Sequence, residues 1–183
     1  MKNTGTVTLH TARLTLRKIR LSDYFVMRRW YCNPALGRYS QKNSVNTRGD
    51  CIDFILRRVY NYYFKRRLNY YAWAIVLDGK MIGFVVLNGG EKDLYAIYYM
   101  LSEAHQRQGY VKEAVTAVLA YMKTQRCRAI FGNCDSNNLA SASILEATGF
   151  RFYKKVDNYY HYPDGRTGDR LRFVYKLKEK RND

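Results

Sequence analysis

Residues 94–122, LYAIYYMLSEAHQRQGYVKEAVTAVLAYM, predict a strand, then a short polar loop with one glycine, and then an amphipathic helix. Such a loop brings several backbone N–H groups to the start of the helix, where unpaired donors and the positive end of the dipole attract an anion. Gly109 has no Cβ, so the backbone there can approach a ligand closely. The segment favours a phosphate cradle, with an ordinary strand-to-helix turn as the alternative. The buried face of the helix is predicted to consist of Val111, Ala114, Val115, Val118, Leu119 and Met122.

The length and composition of the chain favour one domain. With 183 residues, 47% of them hydrophobic, residues 1–183 are enough for a single domain with a proper core, and two domains would be cramped. No stretch approaches the ~20 apolar residues of a membrane span, and the N-terminus lacks the apolar run of a signal peptide. We therefore expect a cytoplasmic protein without membrane association. The four cysteines form no CxxC pair and the three histidines are scattered, so neither a metal site nor a disulfide framework is predicted.

The formal net charge of +17 is unevenly distributed. Residues 1–67 carry 15 Lys and Arg against 3 Asp and Glu, whereas residues 68–150, which contain the predicted cradle, carry 7 of each kind. Residues 151–183 carry 10 against 5. Basic surfaces attract nucleic acid, acidic protein segments or anionic membranes, so residues 1–67 are predicted to contact RNA or an acidic protein. A basic surface that only keeps the protein soluble is the alternative.

The first part of the chain predicts one strand and two helices. Arg13–Ile19 alternates apolar and polar residues as a half-buried strand does, and a short helix follows over Tyr24–Tyr31 with Ser22 as its cap. A second helix begins at Asn46 or Thr47 and runs to about Phe64. Tyr60–Arg67 interleaves aromatic and basic residues, a composition that suits stacking on bases, although such tyrosines more often pack in a core. The apolar stripe of the second helix is predicted to be Ile52, Ile55, Leu56, Val59 and Tyr63.

The remaining elements complete an α+β pattern, in which helices lie on the faces of a mixed sheet whose first strands pair antiparallel. Asp78-Gly79 predicts a tight hairpin turn, and Gly149 suits a left-handed C-terminal helix cap. The predicted strands are Tyr70–Leu77, Met81–Asn88, Leu94–Leu101, Ala129–Asn133, Phe150–Tyr162 and Leu171–Leu177, with a helix over Asn138–Thr148 and a last turn over Pro163–Gly165.

Three motifs together resemble one family. Gln106–Val111, QRQGYV, resembles the Q/R-x-x-G-x-G/A acyl-coenzyme A loop of the GNAT N-acetyltransferases. Asn138–Phe150, NLASASILEATGF, is similar to their N-x-x-S-x-x-x-L-E-x-x-G-F segment, and Thr11–Arg17 matches an opening T-x-R-L-x-L-R. The most similar branch is that of the ribosomal-protein N-terminal acetyltransferases (RimJ/RimL-like). Val111 departs from the pattern, because a small residue is usual at that position.

The resemblance implies the GNAT fold, a twisted and mostly antiparallel sheet of about seven strands with about four helices. The strands at Leu94–Leu101 and Ala129–Asn133 would splay apart, with the pantetheine arm of acetyl-CoA in the gap. Asn138 would then contact the coenzyme arm and Ser141 its thiol end, unless they only cap and begin a helix. The pyrophosphate would be bound by Gln106, Arg107, Gln108, Gly109, Tyr110 and Val111.

Acetyl transfer to an amine needs stabilisation of a tetrahedral oxyanion and a proton for the departing thiolate. The resemblance assigns the oxyanion to a backbone N–H around Met100 or Leu101. Many family members supply the proton from a tyrosine at the position of Leu145, so Ser141 becomes the candidate here, with Tyr153 as an alternative. Their usual glutamate base is also missing, because Ala96 occupies its position, and the remaining candidates are Glu91, Asp93, Glu103 or a chain of waters.

The expected function is an acetyl-CoA-dependent N-acetyltransferase, needing no metal, that transfers acetyl directly to an amine within a ternary complex. The acceptor is expected to be a protein N-terminus or an amine on an acidic or nucleic-acid-bearing partner. One alternative is acetylation of the amino acid on an aminoacyl-tRNA, as toxin-like relatives do. The other is a non-catalytic GNAT-fold module that binds RNA or a ribosomal partner. The protein is expected to be a monomer or a homodimer.

Overall fold

The computed structural model of the protein describes residues 5–33, 36, 39, 47–60, 63, 69–162 and 164–177. Its strands form one mixed sheet in the order β1-β2-β3-β4-β5-β6-β8-β7, in which only the β5–β6 pair is parallel. One more strand is present than the roughly seven expected, because the two-residue β1 pairs with β2. The strands are β1 Leu9–His10, β2 Thr15–Lys18, β3 Tyr70–Leu77, β4 Lys80–Gly89, β5 Leu94–Leu101, β6 Ala129–Asp135, β7 Arg151–His161 and β8 Thr167–Lys176.

The helices of the described residues are α1 Tyr24–Tyr31, α2 Arg48–Asp53, α3 Tyr110–Met122 and α4 Leu139–Ala147. All six apolar residues predicted for the inner face of α3 are buried. Asn138 caps α4 by accepting a hydrogen bond from the backbone N–H of Ser141, and Gly149 follows the helix in the left-handed conformation, with φ of 91°. None of these helices is long and apolar enough to span a membrane.

Two details of the predicted first helices are wrong. Ser22 is not the cap, since it lies inside a 3-10 turn over Leu21–Asp23, and Asp23 is the residue that precedes α1. The second helix begins after Thr47 as expected, but Phe54–Tyr60 that follows is π-helical. Residues 61, 62 and 64–68 lie outside the described residues, with the predicted end at Phe64 and most of Tyr60–Arg67.

The apolar stripe of the second helix is also corrected. Phe54 stacks on Phe84 of β4 with a ring distance of 4.7 Å, so this side of the helix faces the sheet. Ile52 and Leu56, both expected in the stripe, are turned to solvent with 43% and 47% exposure. The side chains that pack inward are Cys51, Phe54, Ile55 and Val59.

The two faces of the sheet are covered differently. One face packs against α3 and α4. On the other, α1, α2 and the π-helical segment cover β3 and β4. Between β5 and β6, pairing runs from Leu94 opposite Ala129 to Ile97 opposite Gly132 and stops. Beyond Ile97 the two strands separate, so the predicted splay of the central pair is present.

The C-terminal hairpin is longer than expected. The strand predicted at Leu171–Leu177 begins at Thr167, and its partner β7 is paired to it with two register shifts. Pro163, part of the predicted turn, lies outside the described residues. In the earlier hairpin, Asp78 and Gly79 both have positive φ, 47° and 75°, which confirms the tight turn between β3 and β4.

Candidate active site

The loop between β5 and α3 has the geometry of an anion cradle. Gly109 lies immediately before α3 with φ of 80°, and Arg107 is also left-handed, with φ of 60°. The first bond of the helix runs from the N–H of Glu113 to the carbonyl of Gly109. Among the described residues, the backbone N–H groups of residues 107–112 therefore make no hydrogen bond. Consecutive free donors at a helix start suit a phosphate group.

Residues from the opening motif brace this cradle. The Arg13 guanidinium forms an ion pair with Glu113 at 2.7 Å and donates a hydrogen bond to the Gln108 carbonyl at 3.1 Å. It also lies 4.4 Å from the centre of the Tyr110 ring. Thr11 donates from Oγ1 to Glu113 at 2.6 Å. The sequence identified Thr11–Arg17 only as a matching motif, and its contact with the loop was missed.

The Glu113 carboxylate should make the fold sensitive to acid. Burial by itself raises the pKa of Glu113, but hydrogen bonds from Thr11 and Arg13 outweigh it and hold that pKa below its usual 4.5. A lowered pKa stabilises the fold above the unfolded value, and this stabilisation is lost as the pH falls through the folded pKa. We expect Glu113→Gln to lower the melting temperature at pH 7 by about 2–4 °C.

That difference should shrink as the pH falls from 4.5 through the lower folded pKa of Glu113, because the wild-type carboxyl then becomes protonated too. Thermal unfolding followed by circular dichroism between pH 7 and pH 3 measures it. Glu146→Gln, which removes an exposed carboxylate from α4, is the matched control and should leave the melting temperature unchanged. Equal melting temperatures for wild type and Glu113→Gln at pH 7 would contradict the bracing role.

A cleft of about 250 Å³ lies in the gap between the splayed strands β5 and β6. It reaches both faces of the sheet, with α4 on one side and Leu36, Tyr39 and Tyr160 on the other. Tyr39 donates a hydrogen bond to the carbonyl of Asn137 at 2.9 Å, which ties that wall to the start of α4. The remaining lining residues are Ile97, Tyr98, Tyr99, Met100, Gly132, Asn133, Cys134, Asp135, Asn138, Ser141 and Leu145.

Backbone alternation decides which N–H groups of β5 face the cleft. The N–H of Ser102 donates a hydrogen bond to the carbonyl of Ile82, on β4, at 2.8 Å. Because N–H groups alternate in direction along an antiparallel strand, every second N–H counted back from Ser102 also points toward β4. That pattern turns the N–H of Met100 toward β4, and those of Tyr99 and Leu101 toward the gap. Gln106 donates to the Leu101 carbonyl at 3.3 Å on the same side. Of the two predicted oxyanion donors, the structure favours Leu101.

Ser141 has a partner that the sequence did not predict. The Tyr99 hydroxyl lies 2.9 Å from Ser141 Oγ and 3.1 Å from the Ser141 carbonyl oxygen. Burial raises the pKa of Tyr99, so its hydroxyl keeps its proton at neutral pH. Strand alternation in the sequence could have indicated on which side of β5 this contact lies. Tyr99 lies on the same side of β5 as Ile97 and Leu101, which face α3 and α4. Asn138 lines the cleft as well as capping α4, so both of its predicted roles are compatible.

Two other expected residues are placed differently. Tyr153 lies on β7 with 59% exposure and packs its ring on Phe131, and it does not line the cleft. Leu145, which takes the position of the family's tyrosine, is buried directly over Gly132, where an added Cβ would clash with it. The structure therefore brings Ser141 to the cleft and leaves Tyr153 outside it.

Asp93 and Glu103, two of the carboxylates proposed as the base, lie outside the cleft lining. The side chain of Glu91, the third, lies outside the part of the chain that the structure describes. Asp93 pairs with Arg126 at 2.9 Å, and Glu103 accepts a hydrogen bond from Asn33 at 2.7 Å. The acidic residue that does line the cleft is Asp135, which the sequence did not single out. It is 3% exposed and accepts hydrogen bonds from the Tyr162 hydroxyl and from Asn137. Within the described part of the chain, no group of three His, Cys, Asp or Glu side chains is placed to hold a metal.

A sheet splayed beside an anion cradle at a helix start defines an acyl-coenzyme A-dependent acyltransferase. The family described as "Acetyltransferase (GNAT) domain" matches residues 13–151. The chain belongs to the GNAT acetyltransferases, and the resemblance inferred from the motifs is confirmed. It is an N-acetyltransferase with acetyl-CoA as its acetyl donor.

Solved structures share the fold at low sequence identity. Ribosomal-protein-S5-alanine acetyltransferase from Vibrio fischeri is 20% identical with a TM-score of 0.80, covering 94% of this chain and 98% of its own. RimL, the ribosomal L7/L12 alpha-N-protein acetyltransferase in complex with coenzyme A, is 18% identical with a TM-score of 0.80, covering 93% and 98%. Mycobacterium smegmatis RimJ is 18% identical with a TM-score of 0.81, covering 97% and 90%. No curated protein sequence matches significantly.

Proposed function

We propose that the protein acts in the cytoplasm as a single domain over residues 1–183 and acetylates the α-amine of a protein N-terminus. The observation that carries this proposal is the cleft that reaches both faces of the sheet. Ser141 lines the cleft from α4, and we assign the acceptor to the opposite side, where Tyr160 lines it. RimL and the Vibrio fischeri enzyme, which share the fold, are described as acting on ribosomal proteins.

The roles of the residues follow from their positions. The free N–H groups of the cradle bind the pyrophosphate, and Asn138 contacts the coenzyme arm. The acetyl group arrives as a thioester, and the N–H of Leu101 donates to the oxygen that becomes negative when the amine attacks. Ser141, held by Tyr99, donates the proton that the departing thiolate needs. Water molecules take the proton that the attacking amine loses and return one to the Ser141 oxygen. The cradle residues are Gln106, Arg107, Gln108, Gly109, Tyr110 and Val111.

The sequence left two alternative functions, a non-catalytic binding module and acetylation of an aminoacyl-tRNA. A non-catalytic module has no need for an anion cradle together with a cleft that holds a paired hydroxyl, and family membership also favours the enzyme. Acetylation of an aminoacyl-tRNA uses the same donor chemistry and differs only in the molecule that carries the amine. The acceptor therefore has to be decided by experiment.

An acceptor screen tests the proposal. The purified protein is incubated with acetyl-CoA and, separately, peptides with free N-termini, the same peptides with blocked N-termini, a polyamine and aminoacyl-tRNAs. Release of free coenzyme A and the mass of each product are measured. We expect acetylation of the free N-terminal peptides and none of the blocked ones. Transfer to aminoacyl-tRNA alone would replace the proposed acceptor, and coenzyme binding without any transfer would refute it.

A further inference from the structure

Three of the eight strands, β6, β7 and β8, have one face that the described helices leave uncovered. The core beneath α1, α2 and the π-helical segment includes no described side chain from β6, β7 or β8. Side chains of residues that pair across neighbouring strands lie on the same face of the sheet. The register of β6, β7 and β8 therefore shows which side chains lie on the uncovered face. Phe131 lies in one row with Arg151, and Asn133 lies in the next row with Arg172 and Lys154. We call this surface the open face.

The open face carries positive charge without a free counter-charge. Its rows contain Arg151, Lys154, Arg170 and Arg172. The one acidic side chain in these rows of described residues is Asp135, which is buried and already bonded to Tyr162 and Asn137. Arg170 also has a buried Nε atom without a hydrogen-bond partner among the described residues. An anionic partner would therefore meet attraction across the whole surface.

Aromatic rings are interleaved with these cations. Tyr98 and Tyr153 are 55% and 59% exposed, on β5 and β7, and Tyr159 is 41% exposed. The Arg170 guanidinium lies 3.7 Å from the centre of the Tyr159 ring, and the Arg172 guanidinium 5.8 Å from the Phe131 ring. Stacked guanidinium groups keep their edge N–H donors available for phosphate oxygens. Exposed rings on several strands offer flat surfaces to planar groups.

The open face also meets the cleft directly. Tyr98, Asn133 and Asp135 line the cleft on the side away from α4. This is the side assigned to the acceptor in the proposed function, and the link between the open face and the acceptor rests on that proposal. A molecule bound along β6–β8 would therefore lie next to the amine that is acetylated.

We propose that the open face binds a segment of single-stranded nucleic acid belonging to the partner that carries the acceptor amine. Bases stack on exposed aromatic rings while arginine and lysine side chains track the phosphates. An acidic peptide would pair with the arginine and lysine side chains, but it offers no planar groups to stack on the exposed tyrosine rings. The double helix would hide its bases from the rings. The surface differs from the basic residues 1–67 that the sequence predicted for RNA contact.

Fluorescence anisotropy with a labelled single-stranded oligouridylate of about ten nucleotides tests this inference without any acetyl-CoA. Two variants weaken the open face, Tyr153→Ala and Lys154→Gln, and both side chains are exposed, so the fold should be retained. We expect Tyr153→Ala to weaken binding about fivefold or more, as loss of one stacked base predicts. Lys154→Gln should reduce the slope of log affinity against log salt by about 0.7.

Matched controls lie in residues 1–67. Phe25→Ala removes an exposed ring, and Arg57→Gln removes an exposed charge. Both should leave the affinity unchanged. Equal losses in the controls, equally tight binding of an oligoglutamate peptide or of duplex RNA, or no binding would each overturn the inference. Binding to the oligouridylate without acetyl transfer to any acceptor would refute the proposed function and leave this inference standing.

Discussion

Gly109→Glu is expected to weaken coenzyme A binding by about 100-fold or more. Gly109 has φ of 80°, and a side chain there would project beside Arg13, whose Nη2 lies 3.4 Å from the Cβ position. The glutamate would add a negative charge among the free N–H groups of residues 107–112, which are proposed to bind the pyrophosphate. A left-handed conformation also costs a non-glycine residue about 1–2 kcal/mol. Isothermal titration calorimetry with coenzyme A measures the affinity.

Backbone strain must be separated from loss of the cradle. Gly79→Glu provides the matched control, since Gly79 has φ of 75° and open space around its Cβ position in the β3–β4 turn. We expect both variants to lose similar thermal stability, whereas only Gly109→Glu loses coenzyme affinity. An affinity of Gly109→Glu within about twofold of the wild type would remove this loop from coenzyme binding.

The sequence correctly predicted the parts of the fold that depend on residues close together in the chain. The face of α3 repeats every three to four residues over the 13 residues of the helix, and every predicted member is buried. Asp78-Gly79 and Gly149 were predicted correctly because positive φ is a property of single residues and their neighbours. The family motifs placed the cradle and α4 for the same reason.

The parts that were missed depend on residues far apart in sequence. Thr11 and Arg13 meet Glu113 across about 100 positions, and Tyr99 meets Ser141 across 42. Strand alternation gives the side of β5 on which Tyr99 lies, but no periodic pattern in the chain shows which residue it contacts. The π-helical segment at Phe54–Tyr60 was also missed, because a helical period of 3.6 residues does not describe it. The open face was missed too, since only the helices' positions show which strands they leave uncovered.

Ser141→Ala is expected to lower kcat by about 10- to 100-fold while leaving coenzyme affinity within about threefold. The alanine keeps the backbone N–H that Asn138 caps, so α4 should remain in place. It removes the hydroxyl that lies 2.9 Å from the Tyr99 hydroxyl and lines the cleft. Rapid-mixing kinetics with the acceptor found in the screen, together with calorimetry, separates turnover from binding. Unchanged turnover would remove Ser141 from the chemistry.

Tyr99→Phe tests whether the two hydroxyls act as one unit. We expect it to lower kcat about tenfold in the wild type and to have almost no effect in the Ser141→Ala background, because effects within a unit are not additive. Tyr175→Phe removes a hydroxyl from a tyrosine on β8 that packs on Phe150, and should leave kcat unchanged. Additive losses in the double variant would mean that Tyr99 acts separately from Ser141. Since burial keeps Tyr99 protonated, a cooperative result would assign it the task of orienting the Ser141 hydroxyl toward the thiolate.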